Sequence, residues 1–299
     1  MTATSGVPGV VPAVRAEADR RHLGNRPRRI AAASVALAAL LAGPAAAAPP
    51  DPLLSLRLDA RAAVREHPGM WTGASVARGA SAVVAGSPRP LVAEIAALAD
   101  RAGRTVTRVW GGYGGAVVLV PRTEEQAAVL AAPAKVDGLA AVATGGRVIV
   151  QPAAFARLSA TGRLVVVTHE LTHVATAGPR AVPMWLMEGF ADYVGYLDSG
   201  LPVRTVAAEL AADVAAGRTA LNTLPGPADF AARPAQAYEE AWLACRYIAA
   251  RFGERRLVAL YRAALREDIG AALREVLGLT ADGLTREWRS YARERLARS

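Results

Sequence analysis

Cysteine is almost missing from this 299-residue chain, where Cys245 stands alone. A lone thiol excludes an internal disulfide framework and any cysteine-rich zinc finger. Cys245 falls on the apolar stripe of AWLACRYIAARF and reads as inert core. Lysine is equally scarce: Lys135 is the only one among 35 basic residues, so arginine carries nearly all the positive charge. Aromatic residues make up 5% of the chain, and Trp71, Trp110, Trp185, Trp242 and Trp288 are too scattered to form a sugar-binding platform. Glycine (27) and proline (19) are too few for a collagen-like or disordered chain. No repeat or low-complexity linker occurs after residue 50. There are only four histidines, so any histidine chemistry must draw on His22, His67, His169 or His173.

What remains is ordinary for a globular protein, 53% hydrophobic and 20% charged. The length suits one large domain or two small lobes. The net charge of +9 invites a nucleic-acid reading, which would need a clustered basic face with interleaved aromatics. After residue 50 the arginines instead alternate with acids, as in Arg266-Glu267-Asp268 and Arg286-Glu287. That is the pattern of a solvated helical surface, so no nucleic-acid partner is expected.

The first 48 residues read as an export signal. A polar stretch with six arginines leads to an apolar run, Ile30 to Gly43, and then to small residues suited to cleavage around Ala46 to Ala48. Loss of this segment removes six arginines and two acids and leaves +5. The alternative is an uncleaved membrane anchor over residues 30–48, the only route to membrane contact. Arg28-Arg29 permits a twin-arginine route beside the general one. The alanine- and arginine-rich, lysine-poor text suits a high-GC bacterial gene, so the expected location is extracellular or the cell envelope.

Residues 49–155 mix strand and helix signals, giving a small α/β sheet lobe. Ser81–Ala85, Ala116–Val120 and Arg147–Gln151 read as strands, and Thr105–Trp110 is rich in β-formers. Pro90–Ala102 and Glu124–Leu130 read as helices. Gly111-Gly112-Tyr113-Gly114-Gly115 reads as a hairpin-like loop; no helix follows it, so it is not a phosphate cradle. Over residues 156–299 strand signals vanish. Helices are predicted at Thr161–Thr176 (stopped by Gly178-Pro179), Pro183 to Leu197, Val203–Ala216, Ala235–Phe252, Arg255–Arg266, Ile269–Leu277 and Ala281–Leu296. Gly253 and Gly278 stand where C-terminal caps belong. The fold class is therefore α+β, a mixed sheet lobe followed by a mainly helical lobe, with a cleft between them.

The chemistry lies in His169-Glu170-Leu171-Thr172-His173. Residues four apart share a helical face, so both imidazoles can hold one ion. Glu170, about 100 degrees away, suits a water on that ion. A catalytic zinc site needs a third protein ligand. Glu188, with fourteen residues between it and His173, lies on the next helix and offers one. Gly189 leaves room for close helix packing. Asp192, four after Glu188, shares its face and suits the free N–H of His169.

The pair H-E-L-T-H and W-L-x-E-G-F-A-D resembles the gluzincin zinc metallopeptidases, in their bacterial peptidase MA-like branch. Asp229-Phe230, Ala237-Tyr238, Arg251-Phe252-Gly253-Glu254 and Glu287-Trp288 extend the likeness over residues 145–299. The resemblance implies a zincin fold, one zinc ion held by His169, His173 and Glu188, Glu170 as general base, Asp192 behind a ligand and a peptide or protein substrate. It also singles out Tyr238 as donor to the oxyanion, with Tyr193 and Tyr196 as rivals. Val148–Gln151 could supply an edge strand for an extended substrate. The expected function is an exported zinc-dependent peptidase. The competing expectation is a non-catalytic zincin-fold binding module of the cell envelope, in which an intact Glu170 would have no purpose.

Overall fold

A computed structural model describes residues 53–297 apart from positions 135, 137, 179, 219 and 220. The export segment, Lys135 and the Pro179 stop lie outside the described residues. Within them, no helix is long and apolar enough to cross a membrane.

The chain opens with α1 (Leu54–Glu66) and then builds a sheet from β1 (Ser75–Arg78), β2 (Ala82–Gly86), β3 (Ala116–Val120), β4 (Ala141–Thr144) and β5 (Arg147–Val150). Helices α2 (Arg89–Trp110) and α3 (Glu124–Ala131) join the strands. Strand order is β1-β2-β3-β5-β4, parallel at the centre and antiparallel at both edges. In β3 the side chains alternate between the two faces. Val118 and Val120 meet α2, whereas Val117 and Leu119 meet α1 and α3. A strand covered on both faces needs apolar residues at every position, which is why AVVLV is a continuous run.

The fold is α+β as expected, but four local expectations change. Thr105–Trp110 is not a strand; it forms the last turns of the 22-residue α2. Val106 and Val109 continue the buried stripe of Ala99 and Ala102. Burying a valine is worth about 1.5–3 kcal/mol, more than its helix-propensity deficit of at most about 0.7 kcal/mol. The five residues after it are no hairpin either. Gly111, at φ +97°, ends α2, and the chain crosses over into β3, parallel to β2. Arg147–Val150 is not an edge strand: it lies between β3 and β4, and the edge on that side of the sheet is β4.

After α4 (Pro152–Ala156) only helices follow: α5 (Ala160–Thr176), α6 (Met184–Tyr196), α7 (Val203–Val206), α8 (Ala208–Ala215), α9 (Pro227–Ala232), α10 (Pro234–Phe252), α11 (Glu254–Ala264), α12 (Ile269–Leu277) and α13 (Ala281–Ala297). The fourth change is at Ala207, whose non-helical backbone (φ −111°, ψ 53°) splits Val203–Ala216 into α7 and α8. Gly253 and Gly278 end α10 and α12 with positive φ. One apolar cluster runs from the α2 face of the sheet into the helices, and α5 lies in its middle, against α2, α6 and β4.

Candidate metal centre

Helix α5 starts cleanly because the Ser159 hydroxyl accepts the Gly162 amide at 3.0 Å. Its third turn carries His169 and its fourth His173. Their rings meet edge to face, with centroids 4.6 Å apart, and the two Nε2 atoms stand 3.0 Å apart. Helix α6 brings Glu188 Oε2 to 3.3 Å from each Nε2. These three residues form the one group of potential metal ligands found among the described residues. Four ligands at about 2.0–2.1 Å in a tetrahedron stand about 3.3–3.4 Å apart. The triangle of 3.0, 3.3 and 3.3 Å is close to that spacing, and it leaves one ligand position for a water.

Two details keep the triangle in shape. Asp192 Oδ1 lies 2.8 Å from His169 Nδ1. A carboxylate there holds the proton on Nδ1 and turns Nε2 toward Glu188 and His173. Behind Glu188, a Cβ at Gly189 would stand 2.2 Å from the Ala241 carbonyl oxygen, so α6 approaches α10 more closely than any side chain there would permit.

The centre is deeply enclosed. His169, Glu170 and Glu188 are fully buried, while the His173 side chain keeps 13% exposure. His173 is thus the ligand that comes nearest to solvent. Burial works against a charged His169, yet Asp192 and Glu188 hold its imidazole well above the usual histidine range. Burial also disfavours an ionised Glu188, but the two imidazoles pull its carboxyl down to about 2. Burial raises Glu170 and Asp192 above the usual carboxylate range. Neither Glu170 oxygen has a hydrogen-bond partner of good geometry, nor has either oxygen of Glu188. An unmet buried carboxylate costs about 1–3 kcal/mol or more. Glu188 is offset by the two imidazoles beside it, whereas Glu170 has no such side-chain partner, which fits a site built to hold a cation and a water.

Other residues singled out in the sequence stand in different settings. Tyr238 is buried at the start of α10, its ring edge-on to Phe230 at 4.9 Å. The helix start is pinned by Arg233, which bridges Asp229 at 2.9 Å and Glu240 at 2.7 Å. Tyr193 is committed elsewhere, its hydroxyl donating to Glu254 at 3.0 Å. Tyr196 packs edge-on against Trp242. Cys245 is buried beside Gly189, and burial pushes its thiol up, as suits an inert side chain. His67 caps the end of α1, remote in the chain from the cluster and half-buried.

Sequence reasoning missed two neighbours of the centre. The backbone amide of Ala143, on the edge strand β4, acts favourably on the Glu170 carboxylate. Tyr261 of α11 bonds Thr176 at the end of α5. Neither carries a local signal, because both are brought in by tertiary packing.

No protein-family model matches the chain, and comparison with curated proteins gives no match. Among solved structures, two similar ones are crystal structures of a point mutant of a two-domain M1 zinc metallopeptidase, bound to L-arginine in one and to L-tryptophan in the other. They are 15% and 18% identical, with TM-scores of 0.43 and 0.41. Each alignment covers 72% of this chain and 51% of the other, so the chain spans about half the length of those structures.

Proposed function

We propose that the chain is an exported zinc-dependent peptidase of gluzincin type. The observation that supports this most is the donor triangle: two Nε2 atoms and one carboxylate oxygen at 3.0, 3.3 and 3.3 Å, with an unpartnered buried carboxylate, Glu170, beside them. His169, His173 and Glu188 would hold one zinc ion. Such an ion supplies Lewis acidity and lowers the pKa of a bound water to about 7.

The remaining steps belong to the chain's own side chains. Glu170 takes a proton from the attacking water onto its carboxylate and later delivers it to the leaving amine nitrogen. Its desolvated position raises its proton affinity above that of an ordinary glutamate. Asp192 keeps His169 in the tautomer that ligates. Tyr238 is the proposed donor to the developing oxyanion. The edge strand β4, next to Glu170 through Ala143, is the proposed contact for an extended peptide. The substrate is accordingly a peptide or protein, met outside the cytoplasm if the first 48 residues direct export.

The test compares the native protein with Glu170→Gln for zinc content and for cleavage of an unbiased peptide library. One zinc per chain in both, with cleavage confined to the native protein, is the expected result. A native protein without zinc overturns the metal assignment. Zinc without any cleavage turns the reading to a binding module. Amino-terminal sequencing of the protein recovered from the medium or envelope tests export, with a start near residue 49 expected.

A further inference from the structure

The two histidine ligands sit on one helix, and helix geometry alone sets their separation. The third ligand is on another helix, so its distance from them depends on whatever fixes α6 against α5. Helix α11 touches both at the turns that carry the ligands. The Tyr261 hydroxyl donates to Thr176 Oγ1 at 3.2 Å, three residues past His173. Thr176 in turn donates to the Thr172 carbonyl at 2.8 Å, within the turn that holds His173. The Tyr261 ring packs on Phe190 at 5.0 Å, two residues past Glu188, and edge-on to Trp110 at 5.5 Å. The same helix also grips the connection between α5 and α6. A Cβ at Gly178 would lie 2.6 Å from the Leu265 side chain at the end of α11. Tyr261 is buried, and the Glu188 charge adds to the burial that disfavours its phenolate.

We infer that Tyr261 is a positioning residue for the metal centre: through Thr176 on one side and Phe190 on the other, it sets the distance between the helix bearing His169 and His173 and the helix bearing Glu188. This inference rests on the metal reading proposed above. Tyr261 touches no ligand atom and makes no chemical step. It belongs to the ring of outer contacts that orient ligands, where single substitutions cost about 10–100-fold in metal affinity. Because Tyr261 meets Thr176 and Phe190 and not the ligands themselves, the lower end of that range, about tenfold, is expected.

The test uses Tyr261→Phe, which keeps the ring and removes the hydroxyl, and Thr176→Val, which removes the acceptor. Zinc affinity is measured by competition with a chromophoric chelator, and the visible spectrum of the cobalt-substituted protein reports ligand geometry. Each variant is expected to bind zinc about tenfold more weakly and to show an altered cobalt spectrum. The double variant should lose no more than either single one, because both remove the same contact. Unchanged affinity and spectrum in Tyr261→Phe, with the native protein binding zinc, overturns the inference while leaving the metal site in place. A lower unfolding temperature of the metal-free variants with unchanged affinity would show a purely structural bond, and also overturns it. Failure of the native protein to bind zinc removes the metal reading itself.

Discussion

The sheet part and the helical part of the molecule bury very different side chains. Up to Val150, the fully buried positions among the described residues are apolar: Val84, Ile95, Val118, Leu119 and their neighbours. From Gln151 onward the interior also takes in His169, Glu170, Glu188, Asp192, Glu239 and Glu240. Apolar burial stabilises directly, at about 25 cal/mol per Å². Buried carboxylates cost free energy unless partnered. The sheet and α2 thus act as the stabilising body against which α5 leans, and the α5–α6 pair holds groups that fold poorly on their own account. A chain keeps such groups where they act on a ligand.

The largest effect that can test this contrast is on Glu170. Glu170→Gln is expected to lower peptide cleavage by about 10²–10⁴-fold, the usual worth of a general base, while the unfolding midpoint does not fall. A neutral amide is easier to bury than an unpartnered carboxylate. A clear loss of stability in calorimetry would mean that Glu170 is a structural partner and that the contrast between the two parts is false.

The sheet side should show the reverse. Leu119→Ala empties a fully buried position on β3 and is expected to cost about 2–5 kcal/mol. Chemical denaturation measures the loss. Zinc affinity of the protein that remains folded should be unchanged. A fall in affinity matching the fall in stability would tie the two parts together more tightly than their packing suggests.

Between these two lies Gly189→Ala. The added methyl would meet the Ala241 carbonyl carbon at 2.6 Å as well as its oxygen, and backbone cannot swing aside like a side chain. Overpacking of this kind costs about 1–3 kcal/mol. Because Gly189 follows Glu188, the shift of α6 away from α10 should also weaken zinc binding. A loss of stability with full zinc affinity would show that α6 can move without moving its carboxylate.

Much of this arrangement could be read from the chain because it is local. Residues 169, 173, 188 and 192 are paired by helical spacing, and Gly189 by the need for a close approach. The central strands stood out as short apolar runs because both faces of the sheet are covered. The edge strands did not: β1 alternates between half-buried and exposed positions, and four residues of β4 carry too little pattern to separate from a loop. The end of α2 misled because its β-formers are held helical by burial, which is a tertiary effect. Tyr261 lay on a predicted helix with nothing to mark it, since its role depends on α11 folding back onto α5.

The smallest effect, and the one that resolves the contrast by titration, is the pH dependence of stability. In the metal-free protein, His169, Glu170, Asp192 and Glu240 all have raised pKa values, and Glu239 is pushed by burial to about 9. A group with a raised folded pKa contributes stability that is complete below its unfolded value and is lost as pH climbs through its folded value. Glu188, drawn down to about 2, works the other way, but its contribution is lost only below the usual carboxylate range near 4.5. Metal-free stability should therefore decline steadily from about pH 5 to pH 9. Zinc reverses the trend, because its ligands must shed protons and its affinity grows with pH. Unfolding midpoints with and without zinc should then diverge as pH rises. The divergence should shrink in Glu188→Gln and persist in Leu119→Ala, since no carboxylate or imidazole is buried in the described sheet part. Parallel curves would place the titrating groups elsewhere and would remove the helical pair from its special standing.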